Sequence, residues 1–382
     1  MTRTNDDRTI AREPLGGPAA WRGSELEPAD YAYELDAREL KVLARLRSDL
    51  VDRGVGLGAI DPESTPLPGL ADTVADWLTR LKHGIGFVVI RGLDIDGWTE
   101  REVGLLYYAL GRQMGSPVKQ SDRGHLLAHV RDTGKDIRND PSARGYQVRV
   151  ALPFHTDTST DLLALMCRRS AKTGGDSALA PLHTIYNEVL ERRPDLIETF
   201  YEPFNFDCRD EEHPDGAPFY TRVLASVGTD GQLSLRHNSG YVRSAARRFD
   251  ECPDLTEQQS ELLKLVDQIA AEPDIHVRFR LEQGDIVLIN NYTIAHSRTE
   301  FEDWEDDDRK RHLMRLWLVL YDSRPLAPDF DNRSGLKTTA DIREDGLAPA
   351  EDEHASSRFT SKRPDQPKTR KPLELEASYL FS

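Results

Sequence analysis

The sequence predicts a strand-rich core with helices packed outside it, a mainly β chain of the α+β class, and three observations support this. Short apolar runs recur between turns through its middle: ALPFHTD, LLALMCRR, RVLASVG, IHVRFRL, DIVLINN and LMRLWLVLY. Runs this short, rich in branched and aromatic residues, read as strands. Asp230-Gly231, inside RVLASVGTDGQLSLRHN, separates two of them and favours a hairpin. The helical patterns fall between the strand-like runs and do not repeat as strand–helix units.

Taken in order, residues 1–30 are rich in charge, Gly and Pro and read as a flexible N-terminal arm. A single domain is expected over 31–330, opening with a helix in YAYELDAREL, within residues 31–50. In LADTVADWLTRLKHG, Leu70, Val74, Trp77, Leu78 and Leu81 keep helical spacing, and Gly84 supplies a stop. GFVVIRGL (86–93) follows as a short buried strand, and TEREVGLLYYALGRQMG is helical again. LHTIYNEVLERRPDLIETF and TEQQSELLKLVDQIAAE are two helical inserts. Residues 331–382 are dominated by Pro, Lys, Asp and Glu and read as a polar tail, with YLF near its end as a docking element.

Composition narrows the function. The formal charge of −16 leaves no broad basic field for phosphates, so nucleic acid is not the expected partner, although a locally positive pocket for a small anion remains open. No run of eighteen apolar residues exists, so no membrane span is expected. The polar start MTRTNDDRTIAREP does not resemble a secretory signal, and Cys167, Cys208 and Cys252 form no CxxC spacing. A reducing, cytoplasmic setting is the expectation. The arm and tail are the candidate segments for pairing copies into a homo-oligomer.

The chemistry gathers at FHTDTSTD, residues 154–161, where His155 and Asp157 stand one spacer apart. A lone His-x-Asp pair is weak, because such residues also serve as surface polar groups. GDIVLINNYTIAHSR (284–298) adds a turn at Gly284-Asp285, a strand, and His296 just beyond it. Two imidazole nitrogens and a carboxylate oxygen on one octahedral face leave three positions open, as an iron(II) oxygenase requires.

With TGGDS at 173–177 and RKRHLMRLWL, these motifs resemble the taurine dioxygenase/TfdA-like family of Fe(II)/2-oxoglutarate-dependent oxygenases. The similarity covers roughly residues 80–325. It implies a distorted double-stranded β-helix, a jelly-roll, cupin-like core. It also implies an iron triad of His155, Asp157 and His296, with 2-oxoglutarate and dioxygen as cosubstrates. The arginine that takes the far carboxylate of 2-oxoglutarate falls on Arg311, and its supporting hydroxyl on Ser177. A guanidinium presents a planar fork that lysine cannot reproduce. Arg315 would share a strand face with Arg311 and Leu313, as an anchor for substrate or cosubstrate or as a structural ion-pair residue. The implied reaction decarboxylates 2-oxoglutarate to succinate and oxidises an unactivated C–H bond of a small molecule.

Other residues receive quieter readings. Arg298 either braces the iron site or makes a surface salt bridge; Arg309 and Lys310 neutralise the acidic run EDWEDDD at 302–308, itself a solvated loop or a pocket mouth. Asp176 reads as a turn residue, His183 as structural, Phe154 as core, and His237 as a lesser pocket candidate. Residues 119–150 could close over the pocket, with 205–212 as another wall. Acidic residues there suit an amine and Arg315 suits a carboxylate, so a free or derivatised amino acid is the expected substrate. The extra acidic segment and the FHTD motif depart from taurine dioxygenase, and taurine is not carried over. The alternatives are a metal-dependent hydrolase and a non-catalytic metal-binding jelly-roll protein; conversion of 2-oxoglutarate to succinate separates them from the oxygenase.

Overall fold

The computed structural model describes residues 9–120, 125–135, 143–158, 160–209 and 217–331. Two sheets face one another. The larger runs β1 (Ala32–Glu34), β2 (Phe87–Arg91), β14 (Ile286–Asn290), β6 (Leu162–Arg169), β17 (His312–Leu320) and β3 (Gly115–Pro117), and β4 (Leu127–Val130) also pairs with β17. The smaller runs β13 (Val277–Phe279), β8 (Ser177–Pro181), β15 (Ile294–Arg298) and β5 (Leu152–His155). Three ribbons extend the frame: β7 (Thr173–Gly174) with β16 (Phe301–Glu302), β9 (Phe204–Asp207) with β10 (Phe219–Arg222), and β11 (Ala225–Val227) with β12 (Leu233–Leu235). The last is the hairpin expected at Asp230-Gly231, and Gly231 has φ +76° there.

Alternation along each strand builds the layers. Phe87, Val89, Leu163, Cys167, Val287, Ile289 and Leu313 of the large sheet meet Leu179, Val277, Phe279 and Ile294 of the small one. Their neighbours Val88, Ile90, Ala164, Met166, Ile286, Leu288, Met314 and Leu316 point the other way, against helices. That explains why these strands are apolar throughout: both faces are covered. The helices on this side are α2 (Ala37–Asp52), α3 (Ala71–His83) and α4 (Glu100–Met114), after a single-turn α1 (Pro28–Tyr31). The small sheet is backed by α5 (Leu182–Arg192), α6 (Ser239–Arg248) and α7 (Glu257–Ala271). Asp36, Thr99 and Thr256 begin α2, α4 and α7 with reciprocal capping boxes to Glu39, Glu102 and Gln259. The result is the double-stranded β-helix architecture, with helices outside both sheets.

Two expectations need correction. The arm is not loose over residues 9–30. Trp21 is buried, and its indole N–H donates to the Ile85 carbonyl at 2.8 Å. Asn187 of α5 grips Leu15 through both its side-chain oxygen and nitrogen, at 2.7 and 2.9 Å. An apolar ring with a satisfied N–H outweighs the polar composition around it. Residues 32–34 are strand, paired in parallel with β2, so the expected first helix lies after them. Helix α6 has no counterpart among the elements expected from the sequence. The polar tail, apart from Asp331, lies outside the described residues, as do residues 1–8. No helix among the described residues is long and apolar enough to cross a membrane.

Candidate active site

The inner faces of the two sheets carry the site. β15 pairs with β5 so that His296 stands opposite His155, with ring centroids 4.2 Å apart. Asp157 follows on the turn after β5. One ligand atom from each of the three lies within 4.8 Å of the others. His155 Nδ1 sits 2.8 Å from the Pro153 carbonyl. A carbonyl only accepts, so Nδ1 carries the proton and Nε2 keeps its lone pair. His296 Nδ1 is buried without a partner. Burial, joined by His155, pushes the His296 pKa down to about 3, and burial also lowers that of His155. Both rings are therefore neutral, the form that binds metal. Burial alone would raise the Asp157 pKa; Arg315 and a hydrogen bond from Trp317 oppose it, and the Asp157 pKa is lowered, which keeps the carboxylate ionised. Two neutral imidazoles and one carboxylate fit iron(II).

The turn bearing Asp157 is braced from three directions. The Trp317 indole N–H donates to Asp157 Oδ2 at 2.6 Å. Asn291, buried in the turn between β14 and β15, accepts from the Asp157 N–H at 2.9 Å and donates to the Asp157 and Thr160 carbonyls at 2.8 and 2.9 Å. Thr156 N–H donates to the His237 carbonyl at 2.7 Å, and His237 Nε2 meets Asp267 Oδ1 at 2.7 Å. His237 thus supports the ligand turn from behind.

Ser177, Arg298 and Arg311 occupy the neighbouring part of the interior. Ser177 stands directly across from Arg298 in the β8–β15 pair, and all three residues are buried. Arg311 Nη1 has no hydrogen-bond partner, and burial lowers the Arg311 pKa to about 10. Gly175, with φ +72°, passes so near that a Cβ would stand 3.0 Å from Arg311 Nε. The double glycine of TGGDS thus makes room for the guanidinium. Asp176 lies in the short link between β7 and β8, its N–H donating to Thr299 Oγ1 at 3.0 Å.

Arg315 lies on the same strand face. Its Nε donates to Gln120 Oε1 at 2.7 Å, and its guanidinium covers Trp317 at 4.3 Å and Tyr146 at 5.0 Å. Among the described residues it makes no ion pair, although its charge acts on Asp157. Gln120 and Tyr146 belong to the 119–150 stretch, whose described parts do wall this region; 121–124 and 136–142 lie outside the described residues. So do 210–212 of the other expected wall. Arg298 is not a surface residue: it is buried and donates to the Val148 and Val150 carbonyls.

The acidic run divides. Glu302 pairs in β16, Asp303 accepts the Arg311 backbone N–H at 2.7 Å, and the residues from Glu305 to Asp308 are exposed. Lys310 reaches Asp307 at 2.6 Å, and Arg309 covers Trp304. His183 is structural, its Nε2 3.2 Å from the Leu233 carbonyl. Sequence reasoning missed Asn291, Trp317, Gln120 and Tyr146. Trp317 carried a signal, because it continues the even spacing of Arg311, Leu313 and Arg315, and Gln120 and Tyr146 were marked only as part of the 119–150 stretch.

A second cluster, Glu100, His129 and His312, also lies within ligand spacing of one another, on the helix-facing side of β17. His129 and His312 are already hydrogen-bonded at 2.8 Å, and Arg168 stands 3.9 Å from Glu100. Arg169, Arg131 and Arg168 all act on His312 as well, an environment hostile to a divalent cation.

The family of taurine catabolism dioxygenase TauD and TfdA matches residues 53–317. FR-33289 synthase of Streptomyces rubellomurinus (strain ATCC 31215) is 31% identical over 339 residues, covering 87% of this chain and 98% of that protein. Uridine-5'-phosphate dioxygenase of Amycolatopsis sp. is 26% identical over 200 residues, 50% of this chain and 69% of that one. Among solved structures, asparagine oxygenase with Fe(II), 2S,3S-3-hydroxyasparagine and succinate superposes with TM-score 0.59 at 18% identity, covering 76% of this chain and 93% of that one. The non-heme iron oxygenase OrfP with Fe and alpha-ketoglutaric acid gives TM-score 0.54 at 18% identity, over 75% and 94%. The chain belongs to the TauD/TfdA family and is a non-haem iron(II), 2-oxoglutarate-dependent dioxygenase.

Proposed function

We propose that His155, Asp157 and His296 hold the iron(II), that Arg311 and Ser177 take the far carboxylate of 2-oxoglutarate, and that Arg315 receives an anionic group of the substrate. The observation that carries this reading is the grouping of two neutral imidazoles on paired strands, one ionised carboxylate just beyond β5, and a buried guanidinium with an unpaired nitrogen just before β17. A hydrolase has no use for such a carboxylate clamp.

Bound iron with 2-oxoglutarate and dioxygen supplies the oxidising power for an unactivated C–H bond, and succinate is the coproduct. The protein's own residues do the rest. Arg311 and Ser177 orient the keto acid by its remote end, so that its reactive end reaches the triad. Asn291 and Trp317 hold the Asp157 carboxylate in one orientation. The apolar walls of β6, β14 and β17 exclude water from the interior. No side chain is needed as a general base.

The substrate is a small metabolite, a free or derivatised amino acid, whose carboxylate meets Arg315. The reading is supported by the absence, among the described residues, of an ion-pair partner for that cation, and by the 2S,3S-3-hydroxyasparagine and (3S)-hydroxy-L-Arg in complex with the asparagine oxygenase and OrfP structures. A phosphate-bearing substrate is the second reading, favoured by the same cation and by the uridine-5'-phosphate dioxygenase relative. One dioxygenase domain over residues 31–330, acting in the cytoplasm, completes the proposal. The test is anaerobic titration of iron(II) and 2-oxoglutarate, watching the visible charge-transfer band of the chelate. It is expected to vanish with Asp157→Ala and to weaken with Arg311→Ala. A folded, iron-loaded wild type without the band would refute the cosubstrate site. Succinate formation across amino acids and phosphate esters then decides the substrate class.

A further inference from the structure

We propose that Arg298 is a second cationic anchor for the far carboxylate of 2-oxoglutarate, so that the remote end of the cosubstrate is held between two guanidinium groups rather than one. The inference rests on the cosubstrate reading above and adds a residue to it.

Strand geometry comes first. Arg298 stands two residues beyond His296 on β15, so both side chains leave the same face. That face is the interior one, because Ile294 of the same parity packs between the sheets while Ala295 packs among the helices. Directly across the pair from Arg298 is Ser177, the expected hydroxyl partner of the carboxylate. Arg298 and Arg311 also share one ring: Phe301 lies 4.8 Å from the first guanidinium and 5.1 Å from the second.

Hydrogen bonding comes next. Arg298 is 6% exposed and spends one nitrogen on the Val148 and Val150 carbonyls. Its Nε and Nη1 are buried without partners, and Arg311 Nη1 is in the same position. Three charged donors in one small region therefore lack acceptors, which a folded chain tolerates when a ligand supplies them.

The local charge balance agrees. Arg298 feels Arg311, Asp132 and Asp303. Asp132 is paired with Arg149 at 2.9 Å, and Asp303 accepts the Arg311 backbone N–H. Two buried cations thus share one carboxylate, leaving a single positive charge that a carboxylate ligand neutralises.

The experiment compares 2-oxoglutarate with 2-oxobutyrate, which keeps the keto acid and lacks the far carboxylate. Both are titrated anaerobically into iron(II)-loaded wild type, Arg298→Gln, Arg298→Lys and Arg311→Gln, with thermal melts beside them. Arg298→Gln is expected to weaken 2-oxoglutarate about tenfold to a hundredfold, to leave 2-oxobutyrate unchanged, and to be largely rescued by lysine. Equal weakening of both keto acids would assign Arg298 only to holding residues 148–150, and unchanged 2-oxoglutarate binding would overturn the anchor outright. Should Arg298→Gln fail to fold, Arg311→Gln decides: with Arg298 intact it must still prefer 2-oxoglutarate over 2-oxobutyrate, and loss of that preference refutes the second anchor. Failure of the underlying reading looks different, because wild type would then bind neither keto acid.

Discussion

The Trp317 indole and the Asp157 carboxylate meet across the barrel interior, N–H to Oδ2 at 2.6 Å. One strand thereby carries both the cation beside the triad, Arg315, and the donor that orients its carboxylate. Trp317→Phe keeps the packing and deletes the donor. Iron(II) affinity is expected to fall about tenfold to a hundredfold, as for other hydrogen bonds that support metal ligands. Fluorescence-monitored or calorimetric metal titration measures it, and an unchanged affinity would show that Asn291 suffices to hold Asp157.

Asn291 makes three hydrogen bonds to the backbone of the ligand turn and is 2% exposed. Asn291→Ala strands an N–H and two carbonyls in the interior. Urea denaturation of the metal-free chain is expected to show a loss of about 2–4 kcal/mol, larger than an ordinary surface substitution produces. A loss below about 0.5 kcal/mol would mean that water replaces the amide without cost.

These two residues also mark what could be read from the chain beforehand. His155, Asp157 and His296 stood out because metal chemistry restricts the residue types, and the fold does bring them together. Arg311 and Ser177 were reached through the motifs around them. Asn291 looked like any turn residue after a strand, and its role depends on a register with residues 157 and 160 that no local pattern encodes. Trp21 shows the same limit in packing: a tryptophan in a charged stretch finds a seat formed by Ile85 and by helix α5 far along the chain. The strands were legible because both faces of β2, β6 and β14 are covered, which leaves uninterrupted apolar runs. The inward arginines were only half legible, since the face of a strand can be counted but the partner of a cation cannot.

Arg315 separates binding of cosubstrate from response to substrate. Arg315→Gln is expected to keep the iron(II)–2-oxoglutarate band and to lose substrate-stimulated succinate formation, with KM for the substrate raised at least about tenfold. Loss of the band itself would move Arg315 into the cosubstrate site. An unchanged KM would assign it to packing against Tyr146 and Trp317.

Acid should act first at the histidine pair behind β17. His312 is fully buried, and burial, reinforced by His129 and three arginines, pushes its pKa down to about 2 from an ordinary 6.5. The folded chain therefore binds this proton less readily than the unfolded one. As pH falls below 6.5 the unfolded state gains the proton first, and stability is lost progressively down towards pH 2. His296, lowered to about 3, adds to the same loss in metal-free protein. Replacing His312 with glutamine removes one of these sites while keeping an amide that can meet His129. Thermal melts of the metal-free protein from about pH 7 to about pH 5 should then show a shallower decline than wild type, whatever the offset in Tm at neutral pH. Parallel declines would assign acid sensitivity to His296 and to other groups instead of the buried pair.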